Sequence, residues 1–248
     1  MELQAREVVS VEVNAPADTV WEHLRDPALL RRWFGWDHDG LDAEIAQIFH
    51  DEAREHDHGG STRSLVWPNH DRLVVTALDD DHCRVTVTRR GHDALSMFDG
   101  VFDEMDEGWI QFVHQLAFAL DVHPGEDRVT LLAHGLDAGD RRDPLLFRAG
   151  LHGVRGLPVH AHVEATRPDG SRVGGTVVYK SEHQVGIHLH GIAESLLVLV
   201  MRPAVERPPN GTVDVTMSTY GLDDEVMAEA RRRWAGWWSV APRAATGT

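Results

Sequence analysis

The sequence predicts an α+β fold in which antiparallel sheets are each closed by a long C-terminal helix, arranged as two tandem lobes. Three observations predict it. Val9, Val11 and Val13 alternate with polar Ser10, Glu12 and Asn14, the period of a half-buried strand, and the period then turns helical within a few residues. Runs of alternating residues separated by turn sequences follow at hairpin spacing. The order strand, short helix, hairpin strands and long aromatic-faced helix occurs in residues 1–123 and again, less regularly, in 126–243, leaving 244–248 as a tail.

Taken in order, Pro16 stands where a helix tolerates proline, in its first turn. Asp18 brings a carboxylate to the positive helix end, and Val20, Trp21 and Leu24 form an apolar stripe. Asp26-Pro27 restarts the pattern. Asp26 can cap, Pro27 fits the first helical position, and Leu29, Leu30, Trp33 and Phe34 recur at helical spacing before Gly35, which suits a left-handed stop.

A strand followed by two short helices, with Ala15-Pro16-Ala17-Asp18-Thr19-Val20-Trp21 opening the first and Trp33-Phe34 closing the second, resembles the START-like (SRPBCC) superfamily. Within it, the match is similar to the activator-of-heat-shock-protein-ATPase homologue branch. The resemblance implies a helix-grip fold: a curved antiparallel sheet around a long C-terminal helix, with the short helices closing one end, a fold that mostly encloses an apolar pocket. Activities in that superfamily are diverse, so the fold names none of them.

Beyond Gly35 the sequence departs from the family pattern. A long strand is expected there, but Leu41, Ile45, Ile48 and Phe49 share a helical face. Residues 50–58 show neither period. They hold His50, Asp51, Glu52, Glu55, His56, Asp57 and His58, yet at no zinc spacing, and a polar run ending in Gly59-Gly60 reads as a solvated loop. Strands are expected over Ser61 to Trp67, around Leu73, Val75 and Ala77, and around Val85 and Val87, with turns at 68–71 and 79–81. Phe98, Phe102, Met105, Trp109, Phe112, Leu116 and Leu120 then draw one continuous helical face, ended by His123-Pro124-Gly125. Gly108 inside that helix costs about 1 kcal/mol relative to alanine, which a close contact or an opening would explain.

In the second half, Val129 and Leu131 suggest a strand and Asp143-Pro144 opens a short helix. Five strands are expected within 159–165, 173–180, 185–191, 196–201 and 213–219. The turns Arg167-Pro168-Asp169-Gly170 and Pro208-Pro209-Asn210-Gly211 separate some of them. Leu222, Val226, Ala230, Trp234 and Trp237 mark the closing helix.

A formal charge of −16 disfavours nucleic acid or an anionic membrane as partner. Cys83 is the only cysteine, the N-terminus has no signal-peptide core, and the longest apolar run falls far short of the roughly 20 residues that span a bilayer. A cytoplasmic protein is the expectation. Lys180 is the only lysine and there are 17 histidines, a skew that a GC-rich genome produces without selection for histidine chemistry.

No phosphate loop, nucleophile elbow, His-Glu-x-x-His or paired-cysteine motif is present, so no cofactor is expected. On a strand, His160, His162 and Glu164 would share one face, as would His188 and His190. Alternation alone places these histidines on the solvated side, and no metal site is expected. The aromatic residues carry more information. Trp33, Phe34, Trp67, Trp109 and Phe112 come from the short helices, the sheet and the long helix, the elements that flank a helix-grip pocket. The expected function is binding of a small apolar or aromatic molecule there. A cyclase or dehydratase-type enzyme of the superfamily, with His114 as a candidate base, and a co-chaperone are the alternatives.

Overall fold

Strand periodicity in the sequence becomes two antiparallel sheets. The computed structural model describes residues 5–59, 61–90, 102–191 and 193–240, and the chain divides into two units, Met1–Asp127 and Arg128–Thr248.

In the first unit, β1 (Ala5–Val13) is followed by helices α1 (Ala17–Arg25) and α2 (Pro27–Leu30). Pro16 caps α1 and so lies just before the first turn. Asp26 caps α2 by accepting hydrogen bonds from the Ala28 and Leu29 amides at 2.7 and 3.3 Å. This second helix is shorter than the spacing predicts. Trp33 and Phe34 lie in turns beyond it, their amides bonded to the Leu30 carbonyl, before Gly35 reverses the chain at φ 57°. Helix α3 (Leu41–Ile45) then widens into a π-helical segment, Ala46–Glu52.

Residues Arg54–Asp57 form a strand, β2, not the loop expected. All four are exposed, so neither face leaves a mark on the sequence; a charged edge strand also discourages pairing with another chain. Next come β3 (Thr62–Val66), β4 (Arg72–Ala77) and β5 (Cys83–Arg90), giving the sheet order β1-β5-β4-β3-β2. Register aligns Val9, Val87, Leu73 and Leu65 in one apolar row across four strands. Helix α4 (Glu104–Val122) packs on β1. Phe98, the expected start of this helical face, lies outside the described residues, whereas Phe102 precedes the helix and is buried.

Two polar arrangements fix α4. Gln115 is fully buried, and its amide donates to the carbonyls of Trp33 at 2.5 Å and Gly35 at 3.2 Å, tying the helix to the turn after α2. At the other end, Asp103 caps the helix through the Met105 and Asp106 amides. Arg89 on β5 joins Asp103 at 3.1 Å, Asp71 at 3.0 Å and Asp106, so a single guanidinium gathers the β3–β4 turn and the helix start.

The second unit repeats this order with one strand more. Strand β6 (Arg128–Asp137) leads to helix α5 (Leu145–Arg148) and a 3-10 turn at Val154–Gly156. The meander is β7 (His162–Thr166), β8 (Arg172–Lys180), β9 (Gln184–Leu189), β10 (Ser195–Arg202) and β11 (Thr212–Tyr220), in the order β6-β11-β10-β9-β8-β7. In both units the last strand of the meander pairs with the first strand, and a helix follows. Val177, Ile187, Leu197, Met217 and Leu131 align across five strands. Helix α6 (Asp224–Trp238), capped by Asp223 at the Val226 amide, buries Trp234, Trp237 and Trp238 in the same core. Gly186 must be glycine, because a Cβ there would lie 2.0 Å from the ring of its cross-strand partner Tyr179.

Among the described residues no helix is long and apolar enough to cross a membrane.

Asp71 is 3 % exposed, and Arg89→Met would leave its carboxylate buried without its cation. The substitution is expected to destabilise the protein by about 3 kcal/mol, the lower end for breaking a buried pair from one side, measured by urea unfolding. Asp71→Asn in the Arg89→Met background should recover part of the loss.

Candidate functional site

The five aromatic residues singled out in the first unit do meet. Trp33 packs edge-on to Phe34 at 5.8 Å between ring centroids, Phe34 to Phe112 at 4.8 Å, and Trp67 to Trp109 at 5.1 Å. Phe49 joins the two groups, lying 4.9 Å from Phe34 and 6.0 Å from Trp67. These are ordinary edge-on and tilted aromatic spacings. Trp33, Phe34, Trp67 and Trp109 are buried and Phe112 is half-buried.

Two of the indoles are satisfied: Trp33 Nε1 donates to the His23 carbonyl at 2.9 Å and Trp67 Nε1 to the Ile48 carbonyl at 2.8 Å. Trp109 Nε1 is buried and has no hydrogen-bond partner among the described residues. Gly108 is not held by a close contact, since a Cβ there would meet only the Phe112 ring at 3.6 Å.

In the second unit a partly open cavity of about 130 Å³ lies between α6 and the sheet. Its walls are apolar, with Trp234 and Trp237 from α6 facing Val173, Leu189 and Met217 from the strands. Arg167, Arg172 and Arg233 also line it, and no acidic side chain is among the lining residues described. Arg172 pairs with Glu164, and Arg233 with Glu229 at 2.5 Å. Arg167 forms no ion pair among the described residues. Its guanidinium lies 5.4 Å over the Trp237 ring and its Nε donates to Ser171 Oγ at 2.9 Å. Burial, with Arg233 adding to it, disfavours the charge on Arg167 and outweighs the opposing pull of Asp169 and Glu229. An anion entering the cavity would relieve that cost. Sequence reasoning missed this site, because its arginines come from a hairpin turn, a strand and a helix, and no local spacing joins them.

No protein family model matches the chain, and no curated protein matches it. Among solved structures it is similar to the di-domain ARO/CYC protein BexL from the BE-7585A biosynthetic pathway, at 12% identity and a TM-score of 0.33, covering 99% of this chain and 100% of that one. DynU16, from the dynemicin biosynthetic locus, gives 17% identity and a TM-score of 0.27 over 95% of each chain. The di-domain ARO/CYC protein StfQ from the steffimycin biosynthetic pathway gives 14% and 0.27 over 91% of this chain and 90% of that one. At these scores the likeness carries no argument about activity.

His160 lies outside β7 at φ 69°, so it does not continue the strand face of His162 and Glu164, and Glu164 is paired with Arg172. Cys83 is buried, and burial pushes its thiol up to about 11, far from a thiolate at neutral pH. Burial pushes the His114 imidazole down to about 4, which leaves it neutral but a weak base.

Burial of His114 makes folding depend on pH. The imidazole titrates at 6.5 when exposed and near 4 when folded, so between these values the unfolded chain holds more protons. Stability present above pH 6.5 therefore falls as pH drops toward 4, by up to about 3 kcal/mol from this group. In unfolding titrations His114→Gln is expected to flatten this part of the pH profile; an unchanged profile would contradict the assignment.

Proposed function

We propose that the protein binds a small aromatic molecule carrying a negative charge, in the cavity between α6 and the sheet of the second unit. One observation carries the reading: an apolar, tryptophan-walled cavity has at its edge a half-buried arginine without an ion-pair partner among the described residues. The volume suits a single ring, since a buried cavity of about 150 Å³ takes up benzene. Binding is favoured over catalysis because the lining offers no group that titrates near neutrality. Of its hydroxyls, Ser195 Oγ donates to the Ala193 carbonyl at 3.3 Å and Thr219 Oγ1 to the Val129 carbonyl at 2.8 Å. A cyclase or dehydratase would need an acid or base that can move a proton.

The aromatic cluster of the first unit supports a second reading, in which Trp33, Phe34, Trp67, Trp109 and Phe112 receive a neutral apolar ligand with a hydrogen-bond acceptor. The buried, unpartnered Trp109 N–H favours it, because a ligand oxygen would satisfy a donor whose isolation costs about 1–3 kcal/mol. Membership of the activator-of-heat-shock-protein-ATPase branch, with the co-chaperone role it implies, has no matching observation.

Calorimetry with benzoate and with benzyl alcohol tests the first reading. Benzoate should bind more tightly, and Arg167→Gln should weaken benzoate by about ten- to hundredfold, the worth of one charged hydrogen bond of about 1.5–3 kcal/mol, while leaving benzyl alcohol unchanged. Equal affinity for the two compounds, or none for either, would sink it. For the second reading Gly108→Ala is informative. It should stabilise the unliganded protein by about 1 kcal/mol through helix propensity, and should weaken an apolar ligand only if that ligand lies against Phe112.

A further inference from the structure

The sequence places His188 and His190 on one strand face with no metal expected, and the fold brings Glu194 to that same face. We propose that His188, His190 and Glu194 form a binding site for one divalent transition-metal ion of the zinc class. His188 lies near the end of β9, between Ile187 and Leu189, which turn into the α6-facing core; it and His190 therefore occupy the opposite face of the sheet. The chain returns toward β10, and Glu194 immediately precedes that strand.

The distances are close to those of a coordination sphere. His188 Nε2 lies 3.4 Å from Glu194 Oε1, His190 Nδ1 lies 3.8 Å from the same oxygen, and the three ligand atoms fall within 4.8 Å of one another. Ligands around a tetrahedral zinc, each about 2.0–2.1 Å from the metal, stand about 3.3 Å apart. Small side-chain rotations close the difference, and the Glu194 side chain is 53% exposed. Among the described residues this is the one place where three metal-ligating side chains come together.

His190 Nε2 is 2.9 Å from Thr176 Oγ1 on the neighbouring strand. With Nε2–H donating to that hydroxyl, Nδ1 carries the lone pair and faces Glu194, the tautomer a metal ligand requires. Thr176 is held in place by strand register, opposite His188. Two imidazoles and one carboxylate suit zinc, cobalt or nickel better than magnesium or calcium, and three protein ligands leave a fourth position for water.

The test uses untagged full-length protein stripped with a chelator and titrated with zinc by calorimetry, with cobalt(II) absorption reporting coordination. One equivalent is expected, with a visible cobalt spectrum of low coordination number. His190→Ala and Glu194→Gln should each weaken zinc at least tenfold, whereas His162→Ala and His56→Ala should leave it unchanged. Melting of the stripped variants checks that they fold; Glu194→Gln is near-isosteric and keeps the test decisive if His190→Ala does not. No stoichiometric binding, or one equivalent that survives both Glu194→Gln and His190→Ala, would overturn the proposal.

Discussion

A buried indole must give its N–H to an acceptor or lose about 1–3 kcal/mol, and the tryptophans that find one tie together elements that the chain connects only indirectly. In the first unit Trp33 reaches back to the carbonyl of His23 in α1, and Trp67 reaches from the end of β3 to Ile48 in the π-helical segment. In the second unit Trp234 donates to Leu132 in β6 at 3.0 Å and Trp237 to Ala149, just beyond α5, at 2.8 Å. Each bond crosses between elements distant in sequence or closes a tight corner, and each ring also fills the core it crosses. Trp109 and Trp238 are the contrast. Their N–H groups are buried and unpartnered among the described residues, so these two rings contribute packing without a fixed polar anchor.

Charge is used in the same economical way. Asp26, Asp103 and Asp223 cap three helices, so part of the acidic excess sets where helices begin. The cations are nearly all arginine, and this matters wherever one is half-buried. Arginine keeps its charge on burial and presents several donors, so Arg89 can serve three carboxylates at once and Arg167 can remain cationic against Trp237. A lysine in either place would lose charge or reach fewer partners.

Much of the fold was legible because alternation and helical spacing record which face of an element is buried. The valines of β1, the Asp26-Pro27 cap and the Trp234/Trp237 face of α6 all formed where the pattern put them. Legibility failed where burial leaves no period. Strand β2 is exposed on both faces, and the segment after Ile45 changes pitch to a π-helix while its residues still look α-helical. Buried Gln115 was invisible for the opposite reason: it sits in an apolar run, and only the folded chain shows the carbonyls it serves. The aromatic set of the first unit was readable as a cluster, although its link, Phe49, was read only as part of a helix face. The arginine-edged cavity was not readable, since tertiary contact alone assembles it.

Both candidate binding features of the second unit belong to one hairpin. Leu189, Gly191, Ala193 and Ser195 line the cavity on one side, while His188, His190 and Glu194 alternate with them and gather on the other. Strand alternation sets Leu189 against His188 at the end of β9, and Ser195 opens β10 on the cavity side directly after Glu194. Ala193, which lines the cavity and precedes Glu194, holds φ 70°, a left-handed conformation uncommon for alanine. The backbone at Ala193 therefore bears on both the edge of the cavity and the reach of Glu194. A group bound to either side would have to accept, or shift, the backbone that the other side depends on.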